Sequence, residues 1–439
     1  MSKGDVMEFV YISDAMRDSQ EGKEVALRGW IYRKRGSGGV LFIVLRDSSG
    51  VMQCAVKKDR VSEKSWNDAE KALIESSVWV KGIVKKDSRA PGGFELQATD
   101  FGVTHFSEIF PISKDQSTEF LLDVRHLWLR SQKLTNVMKV RDYAQRYFRE
   151  FFQKNGFWEI SPPIITKAGC EGGSTLFEVN YFGEKAYLTQ SGQLYNEVFI
   201  TALEKVFIYA PSFRAEPSRT VKHLAEYWHL EMEAAYYHNE DNMKFQEEMI
   251  SYVCNKLAEN HADLLRFFGR DPAEMAAVKP PFDRLDYDDA IKYLNEHGIK
   301  KEFGDDFGAE DEKVLTGHLK KPIFITGYPK KIKAFYMKTD PKRPDRVLCA
   351  DMLAPEGHGE IIGGSERIWE LDELLARMNE QDPPLKEEDY KWYVDLRRYG
   401  SVPHSGFGMG MERFLKWVLK LDHIRDAVPF PRVINRCYP

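Results

Sequence analysis

Residues Phe213 to Glu233, FRAEPSRTVKHLAEYWHLEME, read as a strand, a polar loop and a second strand, with more charge than a purely structural hairpin tolerates. Side chains alternate along a strand, so the first arm puts Arg214 and Glu216 on one face. The second arm either presents Tyr227, His229 and Glu231 together or sets Glu226 and Glu231 on opposite faces. A buried charge must be paired or meet a charged ligand. An arginine, a glutamate, an aromatic ring and a second glutamate suit a molecule with a phosphate, an adenine-like base and an ammonium group. A surface hairpin laced with salt bridges is the alternative on these residues alone.

Further stretches carry chemistry. Asp351 and Glu360 bracket a loop containing Gly357 and Gly359, and Arg367 follows a Gly-Gly-Ser. Two carboxylates beside a nucleotide pocket are natural ligands for Mg²⁺, a hard cation that prefers oxygen; isolated, they are surface acids. In SGQLYNE, the residues Ser191, Gln193, Asn196 and Glu197 make a polar pocket wall rather than a core. An N-cap explains Ser191 but not all four. GFGMGMERF leads into a helix with Met411, Phe414, Leu415, Val418 and Leu419 on its apolar face and Arg413 at the strand-to-helix junction. Its glycines let that strand lie close to a ligand or a neighbouring strand.

The elements that must position these groups fall into two modules. From Val25 to Val103 five short strands, with a helix near Ser65 to Ile74 between the third and fourth, follow the order of an OB-fold barrel. On its strand face Phe42 is a stacking platform and Gln53 a base-edge reader, with Arg28, Arg33 and Arg35 toward phosphates; an alternating strand also accommodates Phe42 as core. The stretch near Phe106 to Asp123, with Pro111, reads as a hinge. Beyond it, Thr135 to Lys154 has the spacing of a long amphipathic helix. It runs into FWEISPPIIT, whose Pro162 and Pro163 place that strand at an edge or a subunit contact, read as a dimer interface.

The chain has 439 residues and a formal net charge of −5, ample for two or three domains. Between Glu21 and Arg60 nine Lys or Arg stand against four Asp or Glu, a local net of +5 that leaves −10 for the remainder. A basic module on an acidic body suits a phosphate-rich partner touching a limited surface. No apolar run approaches the roughly 20 residues that span a bilayer, and the first residues lack a signal-peptide core; the expected location is the cytoplasm. Cys54, Cys170, Cys254, Cys349 and Cys437 are scattered singly, which suggests free thiols.

The helix and proline-bearing strand ending at Pro163, the FRAE hairpin and GMGMERF at Gly408 to Phe414 resemble, in that order, the three signature motifs of class II aminoacyl-tRNA synthetases. With an N-terminal OB module, RHLWLR at Arg125 to Arg130, HLAEYWHLE and the ending HIRDAVPFPRVINRCYP, the resemblance extends over nearly the whole chain to the aspartate, asparagine and lysine subgroup. It implies an α+β chain: an OB-fold anticodon-binding domain over 1–105, a hinge over 106–130, and over 131–439 a class II catalytic domain with an antiparallel sheet flanked by helices. Aspartyl enzymes usually carry a lysine in the stretch matching QLYNE; here Asn196 and Glu197 stand there, a pattern similar to the asparaginyl-tRNA synthetases of archaeal and eukaryotic type.

That resemblance implies activation of asparagine by ATP and transfer to the terminal adenosine of tRNA(Asn) by a homodimer. Arg214 is then expected on the α-phosphate, Arg413 on the γ-phosphate, His223 near the terminal phosphates, Tyr227 stacked on adenine with Glu216 accepting from it, and Asp351 and Glu360 on Mg²⁺. Glu171, Gln193 and Glu231, with Ser191, are expected around the substrate ammonium, and Glu197 with Arg367 to read the amide beside Asn196. Gly363 stands where aspartyl enzymes often have serine, and the segment from Asp351 to Glu360 is two residues longer than theirs. The rivals are an aspartyl-tRNA synthetase, a non-discriminating one included, an asparagine-synthesising relative, and a nucleic-acid-binding protein with an inactive catalytic domain.

Overall fold

The computed structural model describes residues 7–167, 169–170, 175–217 and 222–439, and the chain divides into two compact units at Thr118/Glu119. In the first, β1 (Glu24–Ser37), β2 (Val40–Arg46), β3 (Val51–Lys57), β4 (Ser77–Lys86) and β5 (Phe94–His105) close into a barrel of order β1-β2-β3-β5-β4. Period-2 alternation drives the closure: in β2 Leu41, Ile43 and Leu45 point inward, and in β4 Val78, Val80 and Val84 meet them. The helix Glu63–Lys71 starts where Ser62 accepts from the Ser65 N–H at 3.1 Å, and it buries Trp66 and Ala69 on the barrel. This is the expected strand order with its helix between β3 and β4.

In the second unit, β6 (Trp158–Glu159), β10 (Lys205–Phe213), β11 (Glu226–Ala235), β12 (Asp283–Asp286), β13 (Ile323–Thr326), β16 (Cys349–Ala354), β17 (Gly359–Glu366) and β18 (His404–Gly410) form an eight-stranded sheet. Its order is β12-β13-β16-β17-β18-β11-β10-β6. The centre is antiparallel as expected, but both outermost pairings, β12 with β13 and β6 with β10, are parallel. A parallel pair needs a long crossover. Between β12 and β13 it is supplied by the helices Tyr287–Glu296 and Ala309–Thr316. Short strands β7 (Ile165–Thr166), β8 (Glu178–Tyr181) and β9 (Glu184–Leu188) form a small sheet, and β14 (Thr339–Asp340) pairs with β15 (Arg343–Val347).

One face of the large sheet is the core. The helix Gln132–Lys154 buries Val137, Val140, Ala144, Phe148, Phe151 and Phe152 there, with Phe152 stacked on Phe207 of β10 at 4.4 Å. Truncating such a side chain costs about 3–5 kcal/mol. The helices Asn239–Asn260 and Met411–Val418 complete the layer. Residues 106–118 belong with the barrel, whereas 119–130, the rest of the expected hinge, belong to the second unit. There Arg125 is fully buried and donates to the carbonyls of Arg425, Val428 and Pro429 at 2.8–3.0 Å, tying the segment to the C-terminal residues. Among the described residues no helix is long and apolar enough to cross a membrane, and all five cysteines are free thiols.

Candidate active site

The opposite face of the sheet carries a cavity of about 1100 Å³. Alternation on β11 sends Leu230, Met232 and Ala234 into the core and Tyr227, His229, Glu231 and Glu233 toward the cavity. The neighbouring strand β18 makes room for them. A Cβ on Gly408 would stand 2.5 Å from His229 Nε2, and one on Gly406 2.1 Å from Glu233 Oε2. Those close approaches are the reason for glycine at both positions. Arg214 and Glu216 stand just past the end of β10 rather than within it, although the Arg214 N–H still donates to the Ala225 carbonyl at 2.9 Å.

At the first end of the cavity Arg214, Glu216, His223, Tyr227, Glu360 and Arg413 are brought together. Glu216 lies 3.8 Å from Arg214 and 3.7 Å from His223, and the Arg214 guanidinium sits 5.8 Å from the Tyr227 ring centre. Burial, reinforced by the Arg413 charge, lowers the His223 pKa, which favours a neutral imidazole. Arg413 is placed by a tie among the three motif segments: Arg141 of the first helix donates to Glu412 at 2.7 Å, and Glu412 accepts from the Trp228 N–H at 3.1 Å.

Three acid–base pairs line this end: Arg413 with Glu360 at 3.2 Å, Lys333 with Asp351 at 2.6 Å, and Lys222 with Glu312. Burial raises the Asp351 carboxyl to about 6 against the pull of Lys333. Burial also opposes the charge on Glu360, but Arg413 outweighs it and holds that carboxyl below its ordinary value. A Cβ on Gly363 would lie 3.4 Å from Glu360 Oε1 and 3.5 Å from Asp351 Oδ1, so the two carboxylates flank a gap that glycine leaves open. Among the described residues no group of three or more metal-ligating side chains is assembled. Two carboxylates with the remaining positions left to phosphate oxygens and water fit Mg²⁺.

At the second end, Ser191 donates to Glu231, which also accepts from the Gly192 N–H at 2.8 Å and has His229 at 3.4 Å. Burial pushes the Glu231 carboxyl up while Ser191 and Gly192 oppose it. Gln193 lines the same wall, at the start of the helix Gln193–Leu203. Arg367 grips Glu233 through Nε and Nη2, both at 3.0 Å, with its Nη1 on Ser365 at 2.7 Å. Asn196 is fully buried against the cavity, and neither its amide oxygen nor its nitrogen has a hydrogen-bond partner among the described residues.

Glu197 is not where the sequence reading put it. It does not line the cavity; its carboxylate accepts from Tyr393 at 2.9 Å, Arg397 at 2.5 Å and His404 at 3.0 Å. Arg397 outweighs burial and holds that carboxyl far below the ordinary range. One helical step separates Asn196, turned to the cavity, from Glu197, turned to the helix Lys391–Arg398. The acceptor beside Arg367 is Glu233. Its signal was present in the sequence, two residues after Glu231 on the same strand face. Glu171 lies outside the described residues.

On the barrel, the register Arg35–Phe42 and Arg33–Val44–Gln53–Glu95 gathers four of the five expected residues on one face. The Arg35 guanidinium is 5.0 Å from the Phe42 ring centre and donates to Gln53 at 3.3 Å; Gln53 donates to Glu95 at 2.7 Å. Glu95 was not anticipated. Arg28 stands apart on β1, 5.2 Å from the ring of Phe9.

Residues 117–434 match the family model for class II tRNA synthetases (D, K and N), and residues 25–104 match that for OB-fold nucleic acid binding domains. An asparagine–tRNA ligase of Thermoplasma acidophilum is 49% identical over 98% of this chain and 99% of its own length. The structure of asparaginyl-tRNA synthetase from Pyrococcus horikoshii complexed with asparaginyl-adenylate superposes with a TM-score of 0.95 at 48% identity, covering 99% of this chain and 100% of that one. That of the Entamoeba histolytica enzyme in complex with asparaginyl-adenylate gives 0.87 at 38% identity, covering 96% and 98%. The chain belongs to the asparaginyl-tRNA synthetases, within the class II synthetases of the aspartate, lysine and asparagine group.

Proposed function

We propose that this cavity joins asparagine to ATP as asparaginyl-adenylate, releasing pyrophosphate, and then transfers the asparaginyl group to the 3′-terminal adenosine of tRNA(Asn). The observation that carries the choice of amino acid is the buried Arg367–Glu233 pair in the same cavity as the Asn196 amide, which has no hydrogen-bond partner among the described residues. A carboxamide offers one acceptor and two donors: Arg367 donates to its oxygen and Glu233 accepts from its NH₂. Aspartate would set a second carboxylate against Glu233, a like-charge contact that buried sites reject strongly.

No protein nucleophile is required, because the substrate carboxylate attacks the α-phosphorus. The residues orient the reactants and stabilise charge. Glu231, held by Ser191 and Gly192, receives the substrate ammonium with Gln193. Arg214 holds the α-phosphate and Arg413 the γ-phosphate through planar donor forks. Tyr227 stacks on adenine, Glu216 accepts from it, and His223 donates to the phosphates as a neutral imidazole. Mg²⁺, when bound by Asp351 and Glu360, supplies compensation for phosphate charge. On the barrel, Phe42 stacks on an anticodon base and Gln53, fixed by Glu95, reads its edge, with Arg33 and Arg35 on the backbone.

The subunit is proposed to pair with a second copy along the edge strand β6 and the segment that follows it into β7, where Trp158, Ile164 and Ile165 are exposed, and to work in the cytoplasm. Amino-acid-dependent pyrophosphate exchange tests the reading: exchange with asparagine and not with aspartate is expected, and equal exchange with both would favour a non-discriminating aspartyl enzyme.

A further inference from the structure

The crossover between β12 and β13 reaches into the cavity with Glu312, on the helix Ala309–Thr316, a segment that none of the three motifs covers. Glu312 and Lys222 are paired with only 11% and 10% of their side chains exposed. The same carboxylate accepts from the backbone N–H of Glu360 at 3.0 Å. One carboxylate thus joins the loop of the FRAE hairpin, the crossover helix and the start of β17. The approach is close enough that a Cβ on Gly359, at φ +75°, would stand 2.1 Å from Glu312 Oε2 and 2.6 Å from Lys222 Nζ. The charges of Glu360 and Arg413 act on Glu312 at this end of the cavity. Burial pushes the Glu312 carboxyl up, and Lys222 opposes that.

A buried ammonium needs a partner, and a paired one arrives already desolvated and oriented. An ammonium has three donors, so Lys222 serves Glu312 and a phosphate together. We propose that Glu312 is a positioning residue for the terminal phosphates of ATP, holding the Lys222 ammonium in the cavity wall where the β- and γ-phosphate oxygens arrive. This rests on the cavity being the ATP site proposed above. Lys222 then supplies a further fixed cation beside Arg413.

The test is pyrophosphate exchange by the full-length chain with Glu312→Gln, which keeps an oxygen for the Glu360 N–H and removes the charge. The KM for ATP is expected to rise roughly tenfold, more than kcat falls, with the KM for asparagine and competitive inhibition by AMP unmoved. Lys222→Met should match it, and the double variant should be no worse than either single one. An unchanged KM for ATP, an equal loss for ATP and AMP, or multiplied losses in the double variant would overturn the inference and leave the ATP site standing. Should Glu312→Gln not fold, Lys222→Arg is expected to restore the KM lost in Lys222→Met, and no restoration overturns the inference. Failure of the unaltered chain to exchange pyrophosphate with asparagine removes the proposed function and this inference with it.

Discussion

At the nucleotide end of the cavity Arg214, Glu216 and His223 keep 30%, 29% and 35% of their side chains exposed, whereas at the amino-acid end Arg367 and Glu233 keep 3% and 0%. The first end holds the charges of Arg214 and Glu216 3.8 Å apart, where they can re-pair with an incoming polyphosphate. The second fixes a bidentate pair in the same cavity as a buried amide, where any group of the wrong polarity is left unsatisfied. Long-range charge suits affinity for a phosphate chain common to many enzymes. A buried, hydrogen-bonded corner suits the choice between two nearly isosteric amino acids. The cavity separates these tasks in space.

Substitutions that act at one end only would sharpen that contrast. Glu233→Gln leaves Arg367 without its carboxylate; at about 3–5 kcal/mol for a broken buried pair, kcat/KM for asparagine should fall roughly 10²–10⁴-fold in pyrophosphate exchange while aspartate gains relative to it. Arg413→Ala should lower exchange by roughly 10²-fold or more with either amino acid, leaving their ratio unchanged. If that ratio moved, the two ends would not be separate.

Glu197→Gln should lower unfolding stability by about 3 kcal/mol in a denaturant titration, because Arg397 would lose its buried partner, while selectivity for asparagine persists. Phe42→Ala should weaken tRNA charging by about 1–3 kcal/mol and leave exchange near normal; equal loss in both assays would make Phe42 part of the barrel core. The smallest expected effect is that of salt. Raising ionic strength should increase the KM for ATP by a factor of about three and leave that for asparagine nearly constant.

The contrast also explains what was legible in the sequence. The barrel order followed from period-2 alternation in segments such as VLFIVLRD, because a closed sheet of short strands must alternate. The hairpin from Phe213 to Glu233 declared itself by charge, and Arg214, Glu216, Tyr227 and Glu231 reach the cavity together. Glu197 was misplaced for a specific reason: consecutive residues on a helix point about 100° apart, so a polar run such as QLYNE cannot turn every member toward one pocket. Asn196 faces the cavity, and Glu197 satisfies Arg397, His404 and Tyr393 instead. Arg397 and His404 lie 200 and 207 residues away in the chain, and no local pattern links them to Glu197. Glu312 escaped notice similarly, since only the crossover between parallel strands carries it to the cavity.

The most direct measurement of the central claim compares the unaltered chain with Glu233→Gln and Glu197→Gln in pyrophosphate exchange with asparagine and with aspartate. Exchange with asparagine alone is expected for the unaltered chain, with discrimination lost in Glu233→Gln and kept in Glu197→Gln. Exchange with aspartate as fast as with asparagine, or discrimination that follows Glu197 rather than Glu233, would contradict that claim.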